Sequence, residues 1–402
     1  MKKILYISMC LPYKKVLHAG GKTFNYYIDN IANNDNIEVT LISKILPEEE
    51  CYVSTVNPKI HLYLVETPKN KVKRIISYAK SINSKLNPCY RYGNILTKEI
   101  YDQIEDKLKI LKSNGYEPDV IVLEWTSILL YIDVVKKYYP KSKYVASEHD
   151  VTFLGKEREY NFENNYIKRI IKKISYRTIK NNELESISKC NLVFTHNIKD
   201  KKLLIDNGIN EGKVDTLVPF FEKFEKITHD FTNRNIVFYG AMNRPENYKS
   251  AIWFILNVMP KLNDLGIHLY IIGNKPPYEL KKYENKNITV TGFVKDILPY
   301  FENSFCLVAP LLLGAGIKVK ILEAFSAGIP VLTNEIGIEG IAAVDGRDYF
   351  LCNNPEEYVS KITLLLNNPK LAKQICLNEL NVIDKYYDLE KSFVNYSSHL
   401  FE

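Results

Sequence analysis

Short apolar runs alternate with stretches of helical spacing along the whole chain, and this alternation constrains the fold more than any other feature. In the first half KILYIS (3–8), VTLIS (39–43), IHLYLV (60–65), DVIVLEW (119–125), KYVASEH (143–149) and NLVFTH (191–196) read as strands. In the second half the same scheme returns in NIVFYG (235–240), HLYIIG (268–273), ITVTGF (288–293), CLVAP (306–310), IPVLT (329–333) and DYFLC (348–352). Most runs are apolar at consecutive rather than alternate positions, as in parallel strands covered on both faces. Such alternation implies parallel sheets with right-handed crossovers. A chain of 402 residues without low-complexity stretches needs two cores. The polar stretch 218–235, which carries Pro219, breaks the pattern and reads as a linker. The expected fold class is therefore α/β, with one doubly wound domain over 1–217, a second over 218–385, and a segment 386–402 forming a helix that returns to the first.

Composition narrows the setting. Hydrophobic residues at 46% and charged residues at 25% are the balance of a soluble globular protein. The N-terminal run MKKILYISMCLPY is only as long as a buried strand, too short for a signal peptide, and no segment approaches a membrane span. A cytoplasmic location is expected. The cysteines are scattered, odd in number and never in C-x-x-C spacing, which suggests neither a disulfide framework nor a zinc site. The net charge of +7 is modest but unevenly placed.

In open α/β sheets ligands bind beyond the carboxyl ends of the strands, so the residues that follow each strand carry the chemistry. After CLVAP comes PLLLGAGIKVKILEAFSAG, where Gly314, Ala315 and Gly316 precede a helix of about three turns. Glycines there let the backbone approach an anion, and a helix N-terminus favours phosphate. Residues 317–327 are apolar nearly all round, as in a buried helix, with Lys318, Lys320, Glu323 and Ser326 as the exceptions. Buried lysine and glutamate are costly unless paired or functional. Lys320 and Glu323, three apart, either form a structural ion pair or bind a pyrophosphate and a ribose.

The run GAGIKVKILEAFSAGIPVLTNEIGIEGI (314–341) resembles the donor-binding motif of the family 4, "group 1" retaining glycosyltransferases of the GT-B fold. The similarity extends upstream through FYGAMNRPENYKSAIWFILNVMPKL, LYIIGN and ITVTGFVKDILPYF, and more weakly into the first half. It implies two Rossmann-like domains facing a cleft, the first binding an acceptor and the second a nucleotide-sugar donor. By resemblance, Gly314, Ala315, Gly316, Ile317, Lys318 and Lys320 meet the donor diphosphate and Glu323 the ribose. Gly292, Phe293 and Val294 flank the base. Two departures stand out. Many members carry a pair of glutamates in this motif; the second matches Glu323, but the first falls on Ala315. Others place an arginine directly after the glycine of the domain's first strand, whereas Ala241 follows Gly240 here, leaving Arg244 or Lys249 to replace the charge.

In the first half, HAGGKTFNYYIDNIA places Gly20 and Gly21 at the opening of a helix. GGKT invites a P-loop reading, but that motif needs glycine where Val16 stands. The family has a glycine-rich loop at this place, near the donor sugar and acceptor. His149 and Asp150 follow KYVASE at a strand's carboxyl end, where the family often has a histidine at the reaction centre. His149 is the leading first-domain candidate, orienting or polarising the sugar. Glu124 and His196 share its strand-end geometry and can instead cap the following helix or serve the core.

The segment NNYIKRIIKKISYRTIK (164–180) sets four isoleucines at helical spacing among six Lys and Arg residues. It reads either as a helix lying on an anionic membrane or as a core helix with a solvated basic face. KNKVKRIISYAK (69–80) adds a second basic patch, and no nucleic-acid recognition motif accompanies either. The expected activity is sugar transfer from a nucleoside-diphosphate sugar to a glycan or lipid-linked acceptor, with retention implied by the resemblance. The expected catalytic residues are His149, Lys320 and Glu323, with leaving-group stabilisation dominant. No permanently bound cofactor and no metal is called for, because lysines and amides can take the place of a divalent ion. The abundance of lysine, isoleucine and asparagine suits an AT-rich bacterial genome and surface polysaccharide synthesis, at the inner face of the membrane if the acceptor is lipid-linked. The rivals are a nucleotide-sugar epimerase or a phosphorylase on the same fold, and a non-catalytic glycan- or nucleotide-binding module.

Overall fold

The computed structural model describes residues 1–16, 18–66, 91, 97–224, 227, 229–314 and 316–402. The chain forms two compact units, one of Met1–Phe220 with Leu389–Glu402 and one of Phe221–Asp388. The patch at 69–80, Cys89 and Ala315 lie outside the described residues.

The first unit is built on a seven-stranded sheet in the order β3-β2-β1-β4-β5-β6-β7. Its strands are β1 (Lys2–Ser8), β2 (Ile37–Ile45), β3 (Ile60–Glu66), β4 (Val120–Glu124), β5 (Lys143–Glu148), β6 (Leu192–Thr195) and β7 (Val214–Thr216). Every neighbouring pair is parallel, with Ile4 registered against both Val39 and Val120. Side chains from both faces of β1 are buried, Ile4 and Tyr6 in one cluster and Leu5 and Ile7 in the other, which is why its sequence is apolar at consecutive positions. Helix α1 (Ala19–Ala32) starts where the His18 ring accepts the Gly21 amide, and it buries Phe24, Tyr27, Ile28 and Ile31, one stripe at helical spacing. Helices α2 (Thr152–Asn161) and α3 (Tyr166–Ser188) pack against each other after β5. The C-terminal helix (Leu389–Phe401) closes the unit: Tyr396 Oη lies 3.0 Å from Tyr6 Oη, and Ser392 Oγ 2.6 Å from Tyr27 Oη.

The second unit carries a six-stranded parallel sheet in the order β10-β9-β8-β11-β12-β13. Its strands are β8 (Asn235–Tyr239), β9 (His268–Ile272), β10 (Ile288–Gly292), β11 (Cys306–Ala309), β12 (Val331–Thr333) and β13 (Phe350–Leu351). Helix α4 (Pro245–Asn257) follows β8, and helix α5 (Val319–Ala327) follows β11. Helix α5 has nine residues and begins two positions after the expected start, so Lys318 is its N-cap rather than part of it. Ile321 to Ala327 are all buried, as the nearly all-round apolar pattern implies.

Both sheets reverse strand order once, between β1 and β4 in the first unit and between β8 and β11 in the second. At such a switch point the connections leave to opposite sides and open a crevice at the strands' carboxyl ends. Glu124 ends β4 at the first switch point, and Gly240 follows β8 at the second.

Candidate active site

In the second unit the carboxyl ends of three adjacent strands turn on glycines. The Gly240 amide donates to the Ile272 carbonyl at 3.0 Å, and the Gly273 amide to the Gly292 carbonyl at 3.0 Å. A Cβ on Gly273 would lie 1.7 Å from the Gly240 oxygen, and one on Gly240 would lie 2.8 Å from Lys320 Nζ. Space requires glycine at both, and their φ of 159° and 157° favour it as well.

Lys320, in the first turn of α5, points its amine at this shelf. It donates to Asn247 Oδ1 at 2.6 Å, and Asn247 Nδ2 donates to the Ala241 carbonyl at 2.9 Å. The end of β8, helix α4 and helix α5 thus converge on one ammonium. The ion pair with Glu323 that spacing allows is not formed; among the described residues Lys320 makes no ion pair, its hydrogen-bond partner is a neutral amide, and its amine lies 5.5 Å from the centre of the Phe238 ring. Desolvation, with the nearby charges of Lys318 and Arg244, pushes its pKa down to about 7. Glu323, only 4% exposed, sits one turn deeper. Burial, and then the Glu323 charge, raises the Tyr239 hydroxyl above its usual range.

The remaining donor-side candidates are placed as follows. Gly314 and Gly316 have φ of 132° and 68°, which side-chain-bearing residues rarely adopt. Lys318 folds back to donate to the Gly316 carbonyl, and its amine is 3.8 Å from Glu339 Oε2. Ile317 is half-buried beside it. Arg244 is the N-cap of α4 and pairs with Glu246 at 2.5 Å, while Lys249 is exposed on the same helix. Gly292 ends β10 at φ 74°, with Phe293 exposed and Val294 half-buried after it.

In the first unit Glu124, His149 and His196 form a continuous polar chain. Glu124 Oε2 is 2.9 Å from His149 Nε2, His149 Nδ1 is 3.1 Å from His196 Nε2, and His196 Nδ1 is 3.3 Å from the Leu217 carbonyl. The carbonyl only accepts, so His196 carries its proton on Nδ1 and offers a lone pair at Nε2. His149 then donates from Nδ1, which leaves Nε2 as an acceptor and requires the proton of this pair on Glu124. Electrostatics agree: burial raises Glu124 to about 7, and burial lowers His149 to about 3 and His196 to about 3. Below about pH 7 two histidines and one carboxylic acid thus hold their protons in a single direction, with no net charge.

The chain is clamped from both sides. Trp125, at φ 68°, stacks on His149 with centroids 4.1 Å apart and planes at 12°. That backbone conformation costs on the order of 1–3 kcal/mol in a residue other than glycine. A Cβ on Gly20 would come within 3.3 Å of His149 Nδ1, and one on Gly21 within 2.6 Å of Val16. Both glycines therefore let α1 settle onto His149 and the preceding loop. Asp150 is exposed. A small cavity lined by Thr23, Glu124, Ser147, His149 and His196 adjoins the chain.

Beneath it lies an acid pair that sequence reasoning passed over. Glu183 accepts the first two amides of α2, from Thr152 and Phe153, at 2.9 Å each, and Thr126 Oγ1 donates to Glu148 at 2.5 Å. Burial lifts Glu148 to about 8, and burial together with Glu148 lifts Glu183 well above the usual carboxylate range. Glu183 stands in a polar stretch of α3, and nothing in its spacing marks it as a buried cap for another helix. Among the described residues no group of three or more His, Cys, Asp or Glu is arranged to hold a metal ion.

Residues 233–368 match the family model for group 1 glycosyl transferases. This segment is a group 1 glycosyl transferase domain. The match runs from the strand that ends at the glycine shelf, through Lys320 and Glu323, to the helix after β13. A protein encoded in the cps region of Klebsiella pneumoniae, itself uncharacterized, is 27% identical over 224 residues, covering 50% of this chain and 58% of that protein. The chain thus spans little more than half the length of that relative. The whole chain has the fold of glycosyltransferases of known structure. HepE of Anabaena, crystallised with UDP, superposes with a TM-score of 0.67 at 12% identity, over 100% of this chain and 99% of that one. A TarM variant of S. aureus, crystallised with fondaparinux, alpha-GlcNAc-glycerol and UDP, gives 0.68 at 12% identity, over 100% of both chains. The sucrose-phosphate synthase of Thermosynechococcus elongatus gives 0.68 at 11% identity, over 99% of this chain and 98% of that one. The GT-B assignment of the fold holds.

Proposed function

We propose that the chain transfers a sugar from a uridine-diphosphate sugar to a hydroxyl of a glycan or lipid-linked acceptor, with retention, in the synthesis of a bacterial surface polysaccharide. The observation that carries this reading is Lys320: a primary amine held over a glycine shelf at a switch point, hydrogen-bonded to the Asn247 amide, over the Phe238 ring and, among the described residues, in no ion pair. A diphosphate seated there would meet the amine, the α5 N-terminus and the backbone around Gly314 and Gly316. As the bond to the sugar breaks, negative charge grows on the leaving diphosphate and Lys320 is the group positioned to stabilise it. Glu323, one turn on, is assigned to the ribose hydroxyls. His149, with its proton relay to Glu124, is the first unit's group for the sugar or the acceptor. UDP in the HepE and TarM crystals supports the uridine nucleotide, and the cps-region relative supports the polysaccharide setting.

The test is calorimetric titration with UDP, followed by release of UDP from UDP-sugars offered with and without acceptor glycans. Lys320→Ala is expected to weaken UDP binding by about tenfold or more, the worth of a charge-assisted contact. Unchanged affinity in a folded variant would remove Lys320 from the donor site. Epimerised nucleotide sugar without release of UDP would replace transfer by epimerisation.

A further inference from the structure

The isoleucines of α3 are not in the core. Tyr166 is 77% exposed, Ile167 69%, Ile171 49%, Ile170 44% and Ile174 39%, and Phe162 just before the helix is 66% exposed. At about 100° per residue the five helical positions fill an arc of roughly 140°. The packed side of the helix is the opposite one. There Lys172 pairs with Glu163 at 2.6 Å, Tyr176 donates to Glu157 at 3.0 Å, Ile179 is buried, and Lys180 lies over the Phe153 ring. The apolar stripe thus faces directly away from the helix's own support.

The stripe is bordered by cations on both edges, Lys173 and Arg177 along one and Lys168 along the other, with Arg169 further round. Among the described residues these four make no ion pair. A second copy of this chain pairing stripe to stripe would bring like charges together at the rims, which is unfavourable. An anionic bilayer satisfies both features, since the apolar residues enter the interface while the flanking lysines and arginine meet lipid phosphates. No helix among the described residues is long and apolar enough to cross a membrane, so α3 would lie in the surface rather than span it.

We propose that the exposed face of α3, formed by Tyr166, Ile167, Ile170, Ile171 and Ile174 and rimmed by Lys168, Lys173 and Arg177, docks the protein on an anionic membrane surface. This docking is separate from sugar transfer and calls on none of the donor-site residues.

The experiment is co-sedimentation of the full chain with vesicles of phosphatidylcholine, alone or mixed with phosphatidylglycerol, at low and high salt. Wild type should partition onto the phosphatidylglycerol vesicles and be released by salt. The triple variant Ile167→Ser/Ile170→Ser/Ile171→Ser, and separately Lys168→Gln/Lys173→Gln/Arg177→Gln, should each lower partitioning by about tenfold or more. Both sets lie on a solvent-facing surface, and UDP titration of the same preparations serves as the check on folding. Equal binding of wild type to the two lipids, absence of binding, or full binding by both variants would overturn the proposal. So would self-association of the lipid-free protein that the serine variant abolishes, which would assign the face to a second copy. Loss of vesicle binding with UDP affinity intact supports the membrane face whether or not transfer is the reaction. A Lys320→Ala protein that still binds vesicles but not UDP separates the two conclusions from the other side.

Discussion

At Lys320 a lysine held near neutrality becomes a reporter of its own ligand. With a pKa of about 7 before the donor arrives, the amine is largely uncharged at pH 8, and a bound diphosphate would restore its charge. UDP binding at pH 8 should therefore take up a proton. Titration in two buffers of different ionisation enthalpy measures this, and Lys320→Met should abolish the uptake. The Glu124 and His149 pair makes an opposite set of demands. The folded pKa of Glu124 is raised from 4.5 to about 7, so the stability it contributes is complete below pH 4.5 and is lost as pH rises through 7. The folded pKa of His149 is lowered from 6.5 to about 3, so its contribution is present above 6.5 and is lost as pH falls toward 3. Glu124→Gln keeps a donor toward His149 Nε2 and cannot ionise. Urea melts across pH 5 to 8 should show that this variant loses the decline toward pH 8 and keeps the acid decline. In the sequence His149 and Glu124 were legible as strand-end polar residues, but not as one hydrogen-bonded chain. That relation depends on β4 lying beside β5, and on His196 being brought in from β6, which no local pattern states.

Among the elements, the parallel strands were readable to within a few residues because burial on both faces writes a run of consecutive apolar residues. Strand β7 escaped notice for the converse reason: Val214–Thr216 is a three-residue edge strand with one buried apolar side chain. Helix α3 shows a different limit, since the spacing of its isoleucines defines a stripe but says nothing of which side its neighbours occupy. The buried contacts of Tyr176, Ile179 and Glu183 decide that, and they turn the stripe outward. At the glycine shelf the prediction is steric. Gly273→Ala drives a Cβ into the Gly240 carbonyl, a backbone atom that cannot step aside, and should cost about 3 kcal/mol or more in chemical denaturation. Gly240→Ala meets the flexible end of Lys320 instead, so it should cost less stability but weaken UDP binding measurably.

Over the whole molecule, the residues of the first unit are not contiguous in sequence. Leu400 and Tyr396 belong to the same buried cluster as Ile4, Tyr6 and Phe24, and Lys143 donates to the His399 carbonyl at 2.7 Å. Deleting residues 389–402 should raise amide hydrogen exchange in β1, α1 and β6 while leaving β8 to β10 protected as before, which mass spectrometry of peptides resolves. An amphipathic run after residue 385 was legible as a helix, because its apolar positions repeat at helical spacing. Its return to the first domain was legible as well, but not the particular residues it meets, since Tyr6, Tyr27 and Phe194 offer it a surface only after the seven-stranded sheet has formed. The same feature orders events on the ribosome. The first unit begins to emerge before the second and is completed after it, so its sheet must wait, one aromatic face uncovered, until residues 389–402 have been made.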